Sequence, residues 1–401
     1  VLYVSASSVV ATNRVLGAAL ANELGQNVLV VVPKSRRLAR KTVSADSHRE
    51  GAGFEVVALD YRERHPRASY WSGLGRTIDS FRPDVLLSEQ DPAGAEGVQL
   101  KLAARRRQIP IVFCTCENFE RDYRADAKRE LAGRHLARAA LASSLDLFLR
   151  WAYRWDNIGM WSMNKGGVRI AKELRGFRGP IVVAPLGVDE KSFTPKRDEA
   201  RRAALGLREF TFGQFGRLTR EKGIFHLFEA ARRLKHHRFQ ILLDSMEEHD
   251  DPAFVEEVRS TAKEFGIADR IVTFTASHAE MPSYYNVIDC LVAPSYPTAT
   301  YSEQYGRVVA EAMACGVPVL VSDCGHYPDL VGDYGAVFPA QDVDALREGM
   351  ERVLSNPETA RARAGEAVEY FREHLSSRAH AKIVLDLFWK LLDDPQRRSN
   401  R

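Results

Sequence analysis

Cysteine is scarce in this chain of 401 residues: there are five, an odd number, scattered as Cys114, Cys116, Cys290, Cys315 and Cys324 with no C-x-x-C pair. That excludes a disulfide framework and a structural zinc site, and it fits a reducing, cytoplasmic setting. No apolar run approaches the roughly 20 residues that a membrane-spanning helix needs; stretches such as Asn27 to Pro33 and Ile181 to Pro185 are far shorter. Internal repeats and low-complexity segments are missing, which removes solenoids and arrays. No G-x-G-x-x-G follows any candidate strand, so a nicotinamide enzyme is disfavoured. No charged-then-apolar leader opens the chain. Because Val1 is not a start methionine, a few residues are expected to precede it.

What is present is an ordinary globular composition, 45% apolar and 27% charged, in a chain long enough for two domains. Disorder, collagen and coiled coil are excluded as overall classes, and a soluble protein is expected. The net charge of +4 hides an asymmetry. Residues 1–190 carry 29 Lys and Arg against 21 Asp and Glu, a balance of +8, whereas residues 191–401 carry 28 against 32, a balance of −4. The basic half has no aromatic-interleaved stripe and no recognised binding motif, so nucleic acid is not an expected partner.

Short β-branched runs alternate with helix-length stretches throughout, the pattern of parallel sheets with crossover helices. Candidate strands in the first half are Val1 to Ser5, Asn27 to Val32, Phe54 to Leu59, Asp84 to Ser88, Ile109 to Cys114, Asn157 to Ser162 and Ile181 to Ala184. The second half offers Phe210 to Phe215, Gln240 to Asp244, Arg270 to Phe274, Cys290 to Ala293, Pro318 to Ser322 and Gly335 to Phe338. The expected fold is α/β, two doubly wound Rossmann-like units joined through Pro185 to Pro195. Apolar residues at helical spacing (Ala379, Ile383, Val384, Leu387, Phe388, Leu391) predict an amphipathic helix over Ser376 to Leu392 that packs on a domain. Arg397 to Arg401 reads as a frayed tail.

Open parallel sheets bind ligands at the carboxyl ends of their strands, so the loops there carry the chemistry. After Phe210 to Phe215 comes Gly216-Arg217-Leu218-Thr219-Arg220-Glu221-Lys222-Gly223, then a helix with Ile224, Leu227, Phe228 and Ala231. Arg217 and Lys222 place cations beside a glycine turn and a helix N-terminus, a combination suited to a diphosphate; solvated surface charge is the plainer alternative. A second loop, Tyr301-Ser302-Glu303-Gln304-Tyr305-Gly306, leads into a helix. Glu303 precedes it and Glu311 lies two turns in, about 12 Å further at 1.5 Å per residue. That separation suits two ends of one extended ligand and is too long for carboxylates flanking one glycosidic bond. Amides of Gln304, Tyr305 and Gly306 would face an anion over the helix start. Glu311 sits among Ala310, Ala312 and Ala314, and a buried carboxylate needs a partner, a ligand hydroxyl being one candidate. His236 and His237 are adjacent and expected to point apart, and Glu247, Glu248, Asp250 and Asp251 fall in a polar loop, so no metal site is expected.

Glu303-x7-Glu311, continued by Ala312-Met313-Ala314-Cys315-Gly316-Val317-Pro318-Val319, together with Phe215-Gly216-Arg217-Leu218 and Glu221-Lys222-Gly223, resembles the retaining GT-B glycosyltransferases of family 4. Pro185-Leu186-Gly187-Val188-Asp189 with Phe193 and Pro195 resembles that family's interdomain signature, and Gly325 to Phe338 a later glycine-bearing segment. The resemblance is close over about residues 181–390 and architectural before that. It implies two facing Rossmann-like domains: residues 1–190 for the acceptor, 191–375 for the nucleotide-sugar donor, and 376–401 as a helix returning to the first domain. By the same resemblance, Arg217 and Lys222 neutralise the donor diphosphate without a metal. Glu303 contacts the transferred sugar, Glu311 accepts from the ribose hydroxyls, the backbone of Gln304, Tyr305 and Gly306 holds sugar and phosphate, and Gly216 also belongs to the donor site. Thr275, Ala276 and Ser277 lie against the base. The co-substrate implied is a nucleoside-diphosphate sugar, with UDP or GDP, and no other cofactor.

Several positions depart from the family's pattern. Ser5-Ala6-Ser7-Ser8 stands where a glycine-rich loop is usual; Ser7 and Ser8 either meet donor and acceptor or only cap a helix. Phe113-Cys114-Thr115-Cys116-Glu117-Asn118-Phe119 stands where many relatives have a histidine, leaving Glu117 and Asn118 as candidates for holding sugar hydroxyls. His326, where the family often has a second glycine, reads either as a cleft residue or, more plainly, as part of a surface turn. The activity implied is transfer of a sugar, with retention, to a hydroxyl of a glycan, lipid-linked or small-molecule acceptor. Arg36, Arg37, Arg40, Lys41, Arg105 to Arg107, Arg121, Arg124, Lys128 and Arg129 suit an acidic acceptor and peripheral contact with the inner face of a membrane, although scattered solvated arginines give the same composition. Two rivals remain open: a non-catalytic nucleotide-sugar-binding subunit, which would bind donor without turnover, and a GT-B-like epimerase, which would consume donor without an acceptor.

Overall fold

A computed structural model describes residues 1–38, 41–51, 53–63, 68–115, 122–244 and 251–393. The chain divides into two compact units, Val1–Pro185 with the chain from His380 onward, and Leu186–Ala379.

The strands of the first unit are β1 (Leu2–Val4), β2 (Val28–Pro33), β3 (Ser35–Leu38), β4 (Lys41–Ser44), β5 (His48–Gly51), β6 (Phe54–Leu59), β7 (Tyr61–Glu63), β8 (Ser69–Trp71), β9 (Leu86–Ser88), β10 (Ile111–Thr115), β11 (Ile158–Ser162) and β12 (Ile181–Val183). Eight of these form one sheet in the order β12-β11-β10-β9-β1-β2-β6-β5 among the described residues. Every neighbour in it is parallel except β5, which runs antiparallel along the edge of β6. The run Val-Leu-Val-Val-Val-Pro of β2 is buried at every position, as a central parallel strand covered by helices on both faces requires.

The second unit has β13 (Phe210–Gln214), β14 (Phe239–Asp244), β15 (Ile271–Phe274), β16 (Cys290–Ala293), β17 (Val319–Ser322) and β18 (Ala336–Phe338). All are parallel, in the order β15-β14-β13-β16-β17-β18. Counted within the unit this is 3-2-1-4-5-6, the doubly wound order whose direction reverses between the first and fourth strands. Phe212, Leu227, Phe228, Ile241, Leu346 and Met350 fill its core without exposure.

All thirteen strands read from the sequence occur, within two residues at their ends. The ribbons β3–β4 and β7–β8 and the edge strand β5 were not anticipated, because runs such as Ser-Arg-Arg-Leu carry no apolar alternation. Tertiary contacts hold β8 instead: the Gln99 amide accepts from the Trp71 N–H at 2.9 Å and donates to its carbonyl at 2.6 Å. The same helix, Ala95–Arg107, buries Glu96, whose Oε2 accepts from Tyr61 and Ser69 hydroxyls, each at 3.3 Å. Burial pushes this carboxyl up to about 7, the hydrogen bonds and Arg36 offsetting only part of it.

The closing helix, Ser377–Leu392, buries Ala381, Val384, Leu387, Phe388 and Leu391. Gly159 in β11 makes room for it, since a Cβ there would lie 2.8 Å from Leu391 and 3.4 Å from Leu387. His380 sets its ring against the Trp161 edge at 4.7 Å and is fully buried, which pushes its imidazole down to about 3. No described helix is long and apolar enough to cross a membrane.

Candidate functional site

The loops that follow β13 and β16 emerge at the carboxyl ends of the two strands where the order reverses, the expected place for a ligand on such a sheet. After β13, Gly216 takes φ 102° and the chain enters a tight 3-10 turn, Arg220–Lys222, closed by Gly223 at φ 75°. Only glycine fits at 223, because a Cβ would stand 2.0 Å from the Pro294 carbonyl oxygen. Two further bonds pin the turn to its surroundings. Tyr296 N–H donates to the Glu221 carbonyl at 2.9 Å, and the Gln214 amide donates to the Lys222 carbonyl at 3.0 Å.

This places the Lys222 ammonium 2.7 Å from Glu303 Oε2. The same oxygen accepts from Tyr301 at 2.7 Å, Tyr327 at 3.0 Å and Ser295 at 3.5 Å. Burial by itself would raise the Glu303 carboxyl; the Lys222 charge and the hydrogen bonds from Lys222, Tyr301 and Tyr327 outweigh it and hold the group below the ordinary carboxylate range. Burial and the Glu303 charge together push the Tyr301 and Tyr327 phenols up. Glu303 Oε1 accepts from no donor among the described residues. Glycines hold this loop as well. Gly325, at φ 61°, would drive a Cβ to 2.2 Å from the Glu303 carbonyl, and Gly306, at φ 90°, to 2.6 Å from the Tyr327 ring.

Three expectations are corrected here. The helix is Arg307–Ala314 with Gly306 as its N-cap, so Gln304, Tyr305 and Gly306 precede it, and Glu311 is its fifth residue, little more than one turn in. Gln304 is exposed while Tyr305 and Gly306 are buried. His326 is no surface residue: it is 9% exposed, its N–H donates to the Glu303 carbonyl at 3.1 Å and its ring lies 6.2 Å from that of Tyr305.

Glu311 is 3% exposed, and protein side chains meet its need for partners. His278 Nε2 lies 2.9 Å from Oε1, and the Tyr285 hydroxyl donates to Oε2 at 2.7 Å. Tyr285 is fully buried, whereas His278 keeps about a third of its side chain in solvent at 34%. Thr275, Ala276 and Ser277 follow β15 on the way to His278, and the Ser277 N–H and hydroxyl both donate to Glu280 Oε2, at 2.9 and 2.7 Å. Arg217 is exposed and has no carboxylate partner among the described residues.

In the first unit the order reverses between β1 and β9, and a second polar cluster lies there. The hydroxyls of Tyr3, Ser5 and Ser7 all donate to Glu89, that of Ser5 at 2.6 Å. Ser8 is fully buried, its hydroxyl donating to the Asn13 carbonyl at 3.2 Å and its N–H to Ser5 Oγ at 3.1 Å, so it is spent on the local turn. Cys114 is buried inside β10. Cys116, Glu117 and Asn118 lie outside the described residues, as do Glu247, Glu248 and Asp250. Asp251 caps the helix Pro252–Glu264. His236 and His237 do not diverge: their Nε2 atoms lie 3.7 and 3.5 Å from Glu351 Oε1, a group that could hold a metal ion, while Arg347 donates to the other Glu351 oxygen at 2.7 Å.

Sequence reasoning missed Tyr301, Tyr327, Ser295, His278, Tyr285 and Glu89. His278 alone had a usable signal, standing directly after the Thr275-Ala276-Ser277 loop.

The family model described as Glycosyl transferases group 1 matches residues 196–369. The D-inositol 3-phosphate glycosyltransferase of Mycobacterium sp. (strain JLS) is 35% identical over 198 residues, 48% of this chain and 43% of that protein. The chain thus spans less than half the length of that curated relative. Among solved structures, a glycosyltransferase from Rickettsia africae ESF-5 superposes with a TM-score of 0.73 at 15% identity, covering 98% of both chains. HepE of Anabaena, in complex with UDP and glucose, gives 0.67 at 17% identity, covering 97% of this chain and 99% of that one. Residues 196–369 thus match the model of the glycosyl transferases group 1 family, and the chain has the GT-B fold.

Proposed function

We propose that the chain transfers a glycosyl group from a nucleoside-diphosphate sugar to an acceptor hydroxyl, with retention at the anomeric carbon and without a metal. The observation that carries this reading is the Lys222–Glu303 pair at the strand-order reversal of the second unit. One Glu303 oxygen is fixed by four donors and the other is left to accept from hydroxyls of the transferred sugar. Lys222, already beside that carboxylate, and Arg217, which has no carboxylate partner among the described residues, supply the two charges that a departing diphosphate needs. Two cations fixed before the bond breaks stabilise the developing charge without reorganisation.

Ribose hydroxyls would meet Glu311 where His278 now covers it from the solvent side, and the base would lie against Thr275 to Ser277. In the reaction the bond from the anomeric carbon to the diphosphate oxygen breaks and a bond to the acceptor oxygen forms on the same face. The acceptor proton passes to the leaving phosphate. No protein nucleophile enters. The first unit would hold the acceptor, with Ser7 and Glu89 as its polar contacts. Its positive balance suits an acidic or lipid-linked acceptor, and the inositol phosphate in one relative's name agrees with that class. UDP is the favoured nucleotide, in line with the ligand of HepE.

The test is a calorimetric screen of UDP-, GDP-, ADP- and dTDP-sugars. One donor should bind at micromolar strength with no divalent ion added, and Arg217→Ala should weaken it. No binding by any of the four would remove the reading.

A further inference from the structure

The helical hairpin Tyr123–Ala132 and Leu136–Tyr153 in the first unit carries an exposed apolar face. Leu131, Leu136, Leu141, Leu147, Phe148 and Trp151 are 42–71% exposed, and they make up six of the eleven exposed large apolar side chains among the described residues. On the longer helix the buried stripe is Ala139, Asp146, Leu149, Ala152 and Tyr153. The opposite side runs from Leu136 through Leu147 to Trp151, with Leu141 and Phe148 alongside, at the spacing of one broad helix face. Between them on that face lie Ala137, Ala140 and Ser144. It therefore carries no charge over sixteen residues, and a helix apolar on two sides is one with a second partner.

Polar contacts tie the two helices to each other and to the rest of the unit. Asp146 pairs with Arg150 at 2.9 Å and reaches Arg124 of the first helix at 3.5 Å. Lys101 is fully buried beneath it, donating to the Ala152 carbonyl at 2.8 Å, with the Trp151 and Trp155 rings 5.3 and 5.0 Å from its ammonium. Cations border both ends. Lys128, Arg129, Arg134 and Arg138 lie around the turn, Arg124 lies at the other end of the first helix beside Asp146, and Arg105 and Arg154 line one cleft with Trp151, all exposed. At the Trp151 end a cleft of about 630 Å³ is lined by Lys101, Arg105, Trp151, Arg154 and Trp155.

We propose that this face docks on an anionic lipid surface, its leucines, Phe148 and Trp151 entering the headgroup boundary and the bordering arginines meeting lipid phosphates. An uncharged apolar face rimmed by arginine, with tryptophan at one end, is the chemistry of an interfacial helix. A second copy of the chain would place the same cations against each other, so charge complementarity selects the lipid. The inference is independent of the donor chemistry.

The test is vesicle flotation at low salt. The full chain should be retained on phosphatidylcholine vesicles containing about a third phosphatidylglycerol, and about tenfold less on phosphatidylcholine alone. Leu141→Glu with Leu147→Glu changes two side chains that are about 70% exposed and should lower retention about tenfold while donor calorimetry stays unchanged. Arg129→Glu with Arg138→Glu should do the same and blunt the salt dependence. Equal retention on anionic and neutral vesicles, or full retention of the leucine pair variant, would overturn the proposal. So would a dimer in sedimentation that the leucine pair variant dissociates and that does not float.

Discussion

The Lys222 ammonium and Glu303 Oε2 stand 2.7 Å apart, although 81 residues separate them in the chain. The pair holds the carboxyl below its ordinary range against the effect of burial. A carboxyl depressed on folding contributes stability above its unfolded pKa and loses it as pH falls through the folded one. Lys222→Met leaves burial without the opposing charge, so the carboxyl rises and costs stability at neutral pH. The loss should be about 1–3 kcal/mol at pH 7 and shrink below about pH 5. Adding Glu303→Gln should return part of it at pH 7. Urea denaturation showing equal stability for the single and double variants from pH 5 to 8 would contradict the coupling.

Arg217 has no carboxylate partner to strand among the described residues, so its loss should touch ligand and not fold. Arg217→Ala is expected to stay within about 0.5 kcal/mol of the parent in stability. Its kcat should fall by on the order of 10². Donor affinity should also become less dependent on salt, because one phosphate contact has gone. Calorimetry at two salt concentrations together with initial rates checks both; an unchanged turnover rules out its proposed role.

Glu311 and His278 separate a structural partner from a ligand contact. Glu311→Gln keeps the shape but weakens bonds to His278 and Tyr285, and should cost about 1–3 kcal/mol. It should also remove the preference for ribose over deoxyribose nucleoside diphosphates. His278→Ala exposes Glu311 Oε1 and should leave that preference in place. Binding of UDP and its 2′- and 3′-deoxy forms decides; equal discrimination by Glu311→Gln and parent places the ribose elsewhere.

Two buried groups give opposite pH slopes. Glu96 is raised to about 7, so its protonated form stabilises the fold below its unfolded value and the contribution is lost as pH rises through 7. His380 is depressed to about 3, so the unfolded chain gains a proton below about 6.5 and stability is lost as pH falls from there toward 3. Relative to the parent, Glu96→Gln should gain on the order of 1–3 kcal/mol between pH 5 and 8. His380→Asn should gain between pH 7 and 4. Parallel stability curves for parent and variants would contradict these assignments.

The parallel sheets were legible because a strand covered on both faces must be written as a continuous apolar run, as in Val28–Pro33. The β3–β4 ribbon was not, since Ser35–Leu38 and Lys41–Ser44 are polar and pair through local antiparallel register. At the site, Lys222 and Glu303 could be picked out by motif, but no spacing encodes that they touch. The need of Glu311 for a partner followed from its alanine neighbours; that His278 and Tyr285 provide it is a matter of tertiary packing. Adjacent histidines were expected to diverge, as they do within a helix. His236 and His237 lie beyond the end of the helix at Arg233, where the chain turns and both reach Glu351.

The retaining glycosyl transfer proposed for this chain centres on Lys222 and Glu303 of the second unit. Proton NMR of the first-formed product, made from the tightest-binding nucleoside-diphosphate sugar in the presence of a chelator, tests it most directly. The product should keep the donor's anomeric configuration, and Arg217→Ala with Glu303→Gln should yield none over the same period. An inverted anomer, or a donor that binds and is neither transferred nor hydrolysed, would contradict it.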